Sequence, residues 1–201
     1  MPSLRLLRVD ADALSGDRHA LARLIAEARP DVACVHGAPS LLRWRSACAA
    51  IAREAGLVVV AGGRTAGGAL LLSTLGVDVE VARELGFAPR RRFRGPRPPG
   101  AAIAAMRVGG RPFVVAAARL HGDPADRQRQ GDELQQALAE LGDGRPALVS
   151  VADPRPDRPA SAALAAGRVP LPGGLLVDER IAVVDAAEVP GSGARADVTV
   201  P

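Results

Sequence analysis

Four apolar runs in this chain end on residues able to do chemistry. Asp10 closes LRLLRVD, His36 closes RPDVACVH, Arg119 and His121 stand in AARLHGD, and Asp153 closes LVSVAD. Asp10, His36 and Asp153 offer two carboxylates and an imidazole, a donor set sufficient in kind for a divalent cation and the candidate catalytic group. Arg119 with His121 offers a second chemistry, a grip on a phosphate or carboxylate that needs no metal. A third feature is PRRRFRGPRPPG, residues 89–100, where Arg90, Arg91, Arg92 and Arg94 surround Phe93. Such an exposed loop either touches phosphates and stacks a ring, or is a solvated connection rich in arginine by composition alone.

Each of these residues needs a strand end to hold it, and the hydrophobic pattern supplies the strands. Leu4 to Val9 reads as a short strand ending at Asp10, followed by a turn in which Ser15 or Asp17 caps a helix from Arg18 to Ala28. Leu21, Leu24, Ile25 and Ala28 give that helix one apolar face, and Pro30 stops it. Val32 to Val35 is the strand that delivers His36 and Gly37. Leu41 to Gly56 reads as a second helix, with Trp44 expected to pack at the edge of the core. Leu57 to Ala61 is a strand, Gly62 to Gly68 a flexible loop, and Ala69 to Ser73 a strand with Val77 to Leu85 expected beside it.

In the second half, Ala101 to Val108 and Pro112 to Leu120 read as central strands of a hairpin turning at Gly109 and Gly110. Asp126 to Leu141 is an amphipathic helix with Leu134, Leu138 and Leu141 inward. Ala147 to Ala152 is a strand, Ala160 to Ala166 a short helix, Leu175 to Val177 and Ile181 to Val184 edge strands, and Ala196 to Val200 a last strand.

The 201 residues suffice for one domain, 1–201, with a sizeable core, and 48% hydrophobic against 24% charged residues is globular composition. All 26 basic residues are arginine, and Lys, Asn and Tyr are absent, a bias expected of a GC-rich coding sequence. A net charge of +4 licenses a weak attraction to polyanions and nothing sharper. Cys34 and Cys48 lack metal-ligand spacing with histidine and read as buried reduced thiols. No apolar run approaches a membrane span, so a soluble, cytoplasmic protein without a membrane partner is expected.

Taken in order, RPDVACVHGAP, GGALLLS, ARLHGDPADRQRQ and the strand running into Asp153 and Pro154 resemble the endonuclease/exonuclease/phosphatase superfamily. The resemblance spans nearly the whole chain. It implies an α/β (α+β) four-layer sandwich, two mixed β-sheets face to face with helices outside, the deoxyribonuclease I-like fold. Members are typically metal-dependent phosphodiesterases or phosphomonoesterases, whose site needs a carboxylate-held divalent cation and an Asp with a His to activate water.

Carried across position by position, the first-strand Asn falls on Asp10, and the Gln and metal-binding Glu fall on His36 and Gly37. The strand His falls on Arg119, which stays protonated and cannot act as a base. The GDxN motif falls on Ser150 to Asp153, so that its Asp becomes Val151, and the closing SDH motif has no counterpart in Gly191 to Val198. Losing one ligand costs about one to two decades, losing a general base about two to four more, and parts that work as a unit fail together. The expectation is therefore a non-catalytic member, without a cofactor, that binds a phosphate-containing ligand, nucleic acid or a protein partner. The alternative is a Mg2+- or Mn2+-dependent phosphodiesterase or phosphatase with a site rebuilt from Asp10, His36 and Asp153.

Overall fold

The computed structural model describes residues 2–14, 17–40, 42–88, 98–152, 161–189 and 193–201. Ser15, the arginine-rich run holding Arg90, Arg91, Arg92, Phe93 and Arg94, and Asp153 lie outside the described residues.

The chain opens with strand β1 (Ser3–Asp10) and a 3-10 turn (Ala11–Leu14), then helix α1 (Arg18–Ala28), β2 (Val32–His36), α2 (Trp44–Glu54), β3 (Val58–Gly62) and β4 (Leu70–Ser73). It continues through β5 (Val77–Gly86), β6 (Gly100–Val108), β7 (Arg111–Arg119), α3 (Pro124–Gly142), β8 (Ala147–Ala152) and α4 (Ala162–Ala165). The last strands are β9 (Arg168–Leu171), β10 (Leu175–Asp178), β11 (Ala182–Val189) and β12 (Gly193–Thr199).

Two six-stranded sheets result, ordered β11-β12-β1-β2-β4-β3 and β5-β6-β7-β8-β10-β9. Each has one parallel pair at its middle, β1 with β2 and β7 with β8, and antiparallel neighbours elsewhere. A parallel pair needs a crossover, and α1 and α3 supply them. Both crossovers are capped as their sequences dictate. Asp17 accepts from the N–H groups of His19 and Ala20 at the start of α1, and Asp123 accepts from Asp126 N–H just before Pro124 opens α3.

Alternation along the strands sorts the core into three slabs, which makes the four-layer sandwich. Leu4, Leu6, Val32, Cys34, Phe113, Val115, Ala117 and Leu148 fill the space between the sheets. Leu7, Val9, Ala33 and Val35 point the other way, onto Leu21, Ile25 and Ile51 of α1 and α2. Val114, Ala116, Val149 and Val151 pack outward against Leu134, Leu138 and Leu141 of α3. No helix among the described residues is long and apolar enough to cross a membrane.

Several expectations are corrected. The strand beginning at Val77 does not lie beside Leu70–Ser73; it crosses to the second sheet and pairs with β6, because alternation fixes a strand's faces but not its partner. Leu175–Asp178 is not an edge, since Arg168–Leu171 pairs outside it; the single Pro in RVPL disguised a short edge strand. Helix α2 starts at Trp44, after Arg43 in a left-handed conformation with no side-chain cap, and not at Leu41. The glycine-rich loop 63–68 packs on the core at Gly63 and Ala66. Ala66 is fully buried, and Gly63 lies under the Trp44 ring where a Cβ would sit 2.2 Å from Cζ3.

Candidate functional site

The C-terminal ends of both parallel pairs lie at the same end of the sandwich, and strand alternation decides which side chains meet there. On β1 and β2 the residues facing the second sheet after Leu6 and Val32 are Arg8, Asp10, Cys34 and His36, with Asp10 directly opposite His36 and Arg8 opposite Cys34. On β7 and β8 the facing residues at the ends are Arg119, Ser150 and Ala152. Seven chemical residues thus share the space: Arg8, Asp10, Asp12, Cys34, His36, Arg119 and Ser150.

His36 bridges the two sheets. It is 0% exposed, and its Nε2 lies 2.7 Å from the Oγ of Ser150, also 0% exposed. Its Nδ1 has no hydrogen-bond partner among the described residues. Burial, then the positive charges of Arg8 and Arg119, hold the imidazole well below its usual pKa, so it is neutral at physiological pH. A buried neutral histidine tied to a serine is a cross-link between sheets and does not reach a solvent-borne substrate.

Burial pushes the neighbouring Cys34 thiol up to about 12, against the smaller opposing pulls of Ser150 and Arg8. Cys34 and Cys48 are both free and buried, as their positions in apolar runs implied. Desolvation also lowers the Arg8 guanidinium, partly offset by Asp10, whose carboxylate lies 3.7 Å from Arg8 Nη2.

The solvent side of the cluster is made by Arg119 and Asp12. Arg119 Nη1 stands 3.5 Å from Asp12 Oδ2, and these side chains are 23% and 44% exposed. Asp12 is set by its 3-10 turn, in which its N–H donates to Asp10 Oδ1 at 3.0 Å. Gly37 makes room for it: φ is +74°, and a Cβ there would meet the Asp12 carboxyl atoms at 2.8–2.9 Å. Ala38 N–H donates to Gly68 O at 2.9 Å, so the packed glycine loop fixes the chain just beyond Gly37.

The structure places Asp10, His36 and Arg119 at the same strand ends, and Asp153 lies outside the described residues. His121 sits past the end of β7, exposed, so the two-residue alternation that would align it with Arg119 has already stopped. Its backbone is strapped to Gln130, which accepts from His121 N–H at 2.9 Å and donates to His121 O at 2.8 Å. Val151 faces α3 and not the cleft, so the described residue of β8 that enters the site is Ser150. Arg8, Asp12, Cys34 and Ser150 went unassigned. Alternation from Leu4 and Leu6 to Arg8 was visible in the sequence, whereas nothing in ADAL located the Asp12 carboxylate.

The described residues of this cleft do not fit a cation held by carboxylates. The position that would supply a glutamate is a glycine covered by Asp12, Arg119 already engages that carboxylate, and among the described residues no three His, Cys, Asp or Glu side chains cluster to hold a metal ion.

No family model matches the sequence, and no curated protein matches it. Solved structures do. The endonuclease/exonuclease/phosphatase from Bacteroides vulgatus superposes with a TM-score of 0.74 over 100% of both chains at 15% identity. The human Nocturnin catalytic domain with bound sulfate anion gives 0.73 over 100% of this chain and 94% of that one, at 15% identity. D. rerio TDP2 complexed with single strand DNA product gives 0.70 over 98% and 99%, at 12% identity. At such identities the likeness is one of fold, and the fold is the deoxyribonuclease I-like sandwich of the endonuclease/exonuclease/phosphatase superfamily.

Proposed function

We propose that this chain, with its endonuclease/exonuclease/phosphatase fold, is a non-catalytic protein that binds a phosphate-bearing ligand at the strand ends through Arg119. The observation that carries the reading is the Arg119–Asp12 ion pair standing over Gly37. Among the described residues Arg119 meets the half-exposed Asp12 carboxylate at 3.5 Å, and a guanidinium favours a phosphate oxygen pair in its planar geometry. Bound sulfate on Nocturnin and a DNA product on TDP2 support the view that this fold accommodates such anions. His36 contributes shape and not charge, since it is buried and neutral.

Calorimetric titration of inorganic phosphate in excess EDTA tests the reading. Binding is expected at roughly millimolar strength or tighter, weakened at least about tenfold by Arg119→Gln. Absence of binding, or binding indifferent to that substitution, overturns it.

A second reading rests on the direct pairing of Asp10 with His36 across β1 and β2. It is a Mg2+- or Mn2+-dependent phosphoric ester hydrolase with a site rebuilt from Asp10, His36 and Asp153. It requires a cation to reach the fully buried His36, whose Nε2 is taken by Ser150 and whose Nδ1 has no partner among the described residues. Metal-dependent hydrolysis of a generic phosphodiester that falls with Asp10→Ala would favour it over the first.

A further inference from the structure

A groove on the outer face of the first sheet shares no residue with the Arg119 site. Helix α1 covers that face over β1 and β2, where Leu21 and Ile25 pack onto Leu7, Val9, Ala33 and Val35. The sheet continues past the helix through β12 and β11. Register carries the outward parity across these strands: Leu7 stands opposite Arg195, Arg195 opposite Ala187, and Gly193 opposite Val189. The flank of α1 and the two added strands thereby bound a cavity of about 470 Å³, open to solvent and within the usual range of small-molecule sites, roughly 300–1,000 Å³.

Its lining is of two kinds. Leu24 and Ala28 of α1 and Val189 of β11 are half-buried against the core beneath, so the floor is apolar. Arg23 comes from the helix wall and Arg195 from the sheet wall. Arg195 is set in place by Asp185, whose Oδ2 accepts from its Nη2 at 2.9 Å, while its Nε is buried with no acceptor among the described residues. Arg23 is exposed and forms no close ion pair among the described residues. The guanidinium groups thus bring more N–H donors than the groove supplies acceptors.

That lining selects by charge and by carbon. Glu27, one turn beyond Arg23, is the single carboxylate of the groove, so two cations and one anion attract one further negative charge and Glu27 repels a second. The apolar floor rewards a ligand that carries aliphatic carbon behind its charge. A dianion meets the repulsion of Glu27, and a short polar acid gains nothing from the floor.

We propose that this groove is a binding site for a free aliphatic monocarboxylate, its carboxylate held by Arg23 and Arg195 and its hydrocarbon chain laid on Leu24, Ala28 and Val189.

The test is titration at pH 8 with octanoate, acetate and octyl phosphate, followed by amide NMR shifts, in wild type, Arg23→Gln, Arg195→Gln, Leu24→Ala and Glu27→Gln. Octanoate is expected to saturate at roughly millimolar strength, to shift the amides of α1 and of Val189 and Arg195, and to bind at least about tenfold more tightly than acetate. Each arginine variant should weaken octanoate by about fivefold or more, and Leu24→Ala should narrow its lead over acetate. Wild type should bind octyl phosphate more weakly than octanoate, and Glu27→Gln should close that gap. Arg23→Gln removes an exposed side chain, so it decides the matter even where loss of the Asp185 partner unfolds Arg195→Gln. Octanoate that does not saturate, that shifts amides elsewhere, that binds no better than acetate or that ignores Arg23→Gln overturns the site. Octyl phosphate bound more tightly than octanoate overturns the assignment to a monocarboxylate.

Discussion

His36 Nε2 and Ser150 Oγ, 114 residues apart in sequence, meet at 2.7 Å between the two sheets with neither residue exposed. The pair closes the core from the inside at the level where strand ends begin to open to solvent. Beyond it, toward solvent, stand Arg119 and Asp12.

The buried imidazole makes stability depend on pH. The unfolded chain titrates His36 near 6.5, while the folded chain holds it well below that value through burial, Arg8 and Arg119. Above pH 6.5 both states are neutral at this residue and it contributes no slope. Below it the unfolded state binds a proton that the folded state refuses, so stability falls with falling pH by up to about 1.4 kcal/mol per unit. Urea unfolding between pH 7.5 and 5.5 should show this loss in wild type and a shallower one in His36→Gln, which keeps a donor and acceptor but does not titrate. Identical slopes would contradict the assignment.

Restoring a glutamate at Gly37 should not restore a metal site. Its Cβ would fall 2.8 Å from Asp12 Cγ at φ +74°. Left-handed backbone and overpacking together put the loss for Gly37→Glu at roughly 2–4 kcal/mol by urea denaturation. Adding Asp12→Gly should recover part of it by vacating the volume. A single variant as stable as wild type would show that the Asp12 carboxylate does not occupy that space.

Both thiols should be inert in the native state. Burial raises Cys34 to about 12 and Cys48 to about 11, and both are sealed from solvent. Neither should react with an aromatic disulfide reagent at pH 8 until urea is added, when both should. Native labelling at the rate of a free thiol would place Cys34 outside the interior and with it the face assigned to His36.

Much of the fold was legible in the chain because periodicity reports faces directly. Leu21, Ile25 and Leu134 announced helix stripes, and the Gly109-Gly110 turn announced the β6–β7 hairpin. Partner choice was not legible: Val77 and Leu175 alternate equally well whichever strand lies beside them. In the site, Asp10, His36 and Arg119 could be read because each ends an apolar run. Ser150 and Asp12 could not. Ser150 looks like any small polar residue until the parity of β8 is known, and the Asp12 position depends on the absence of a side chain at Gly37.

The central proposal is that the Arg119–Asp12 pair leaves the strand ends without a cation site, and Mn2+ titration followed by electron paramagnetic resonance tests it most directly. The account predicts no saturable uptake tighter than about 1 mM, in wild type or in Asp10→Ala. Saturable binding in the micromolar range that Asp10→Ala abolishes would contradict it.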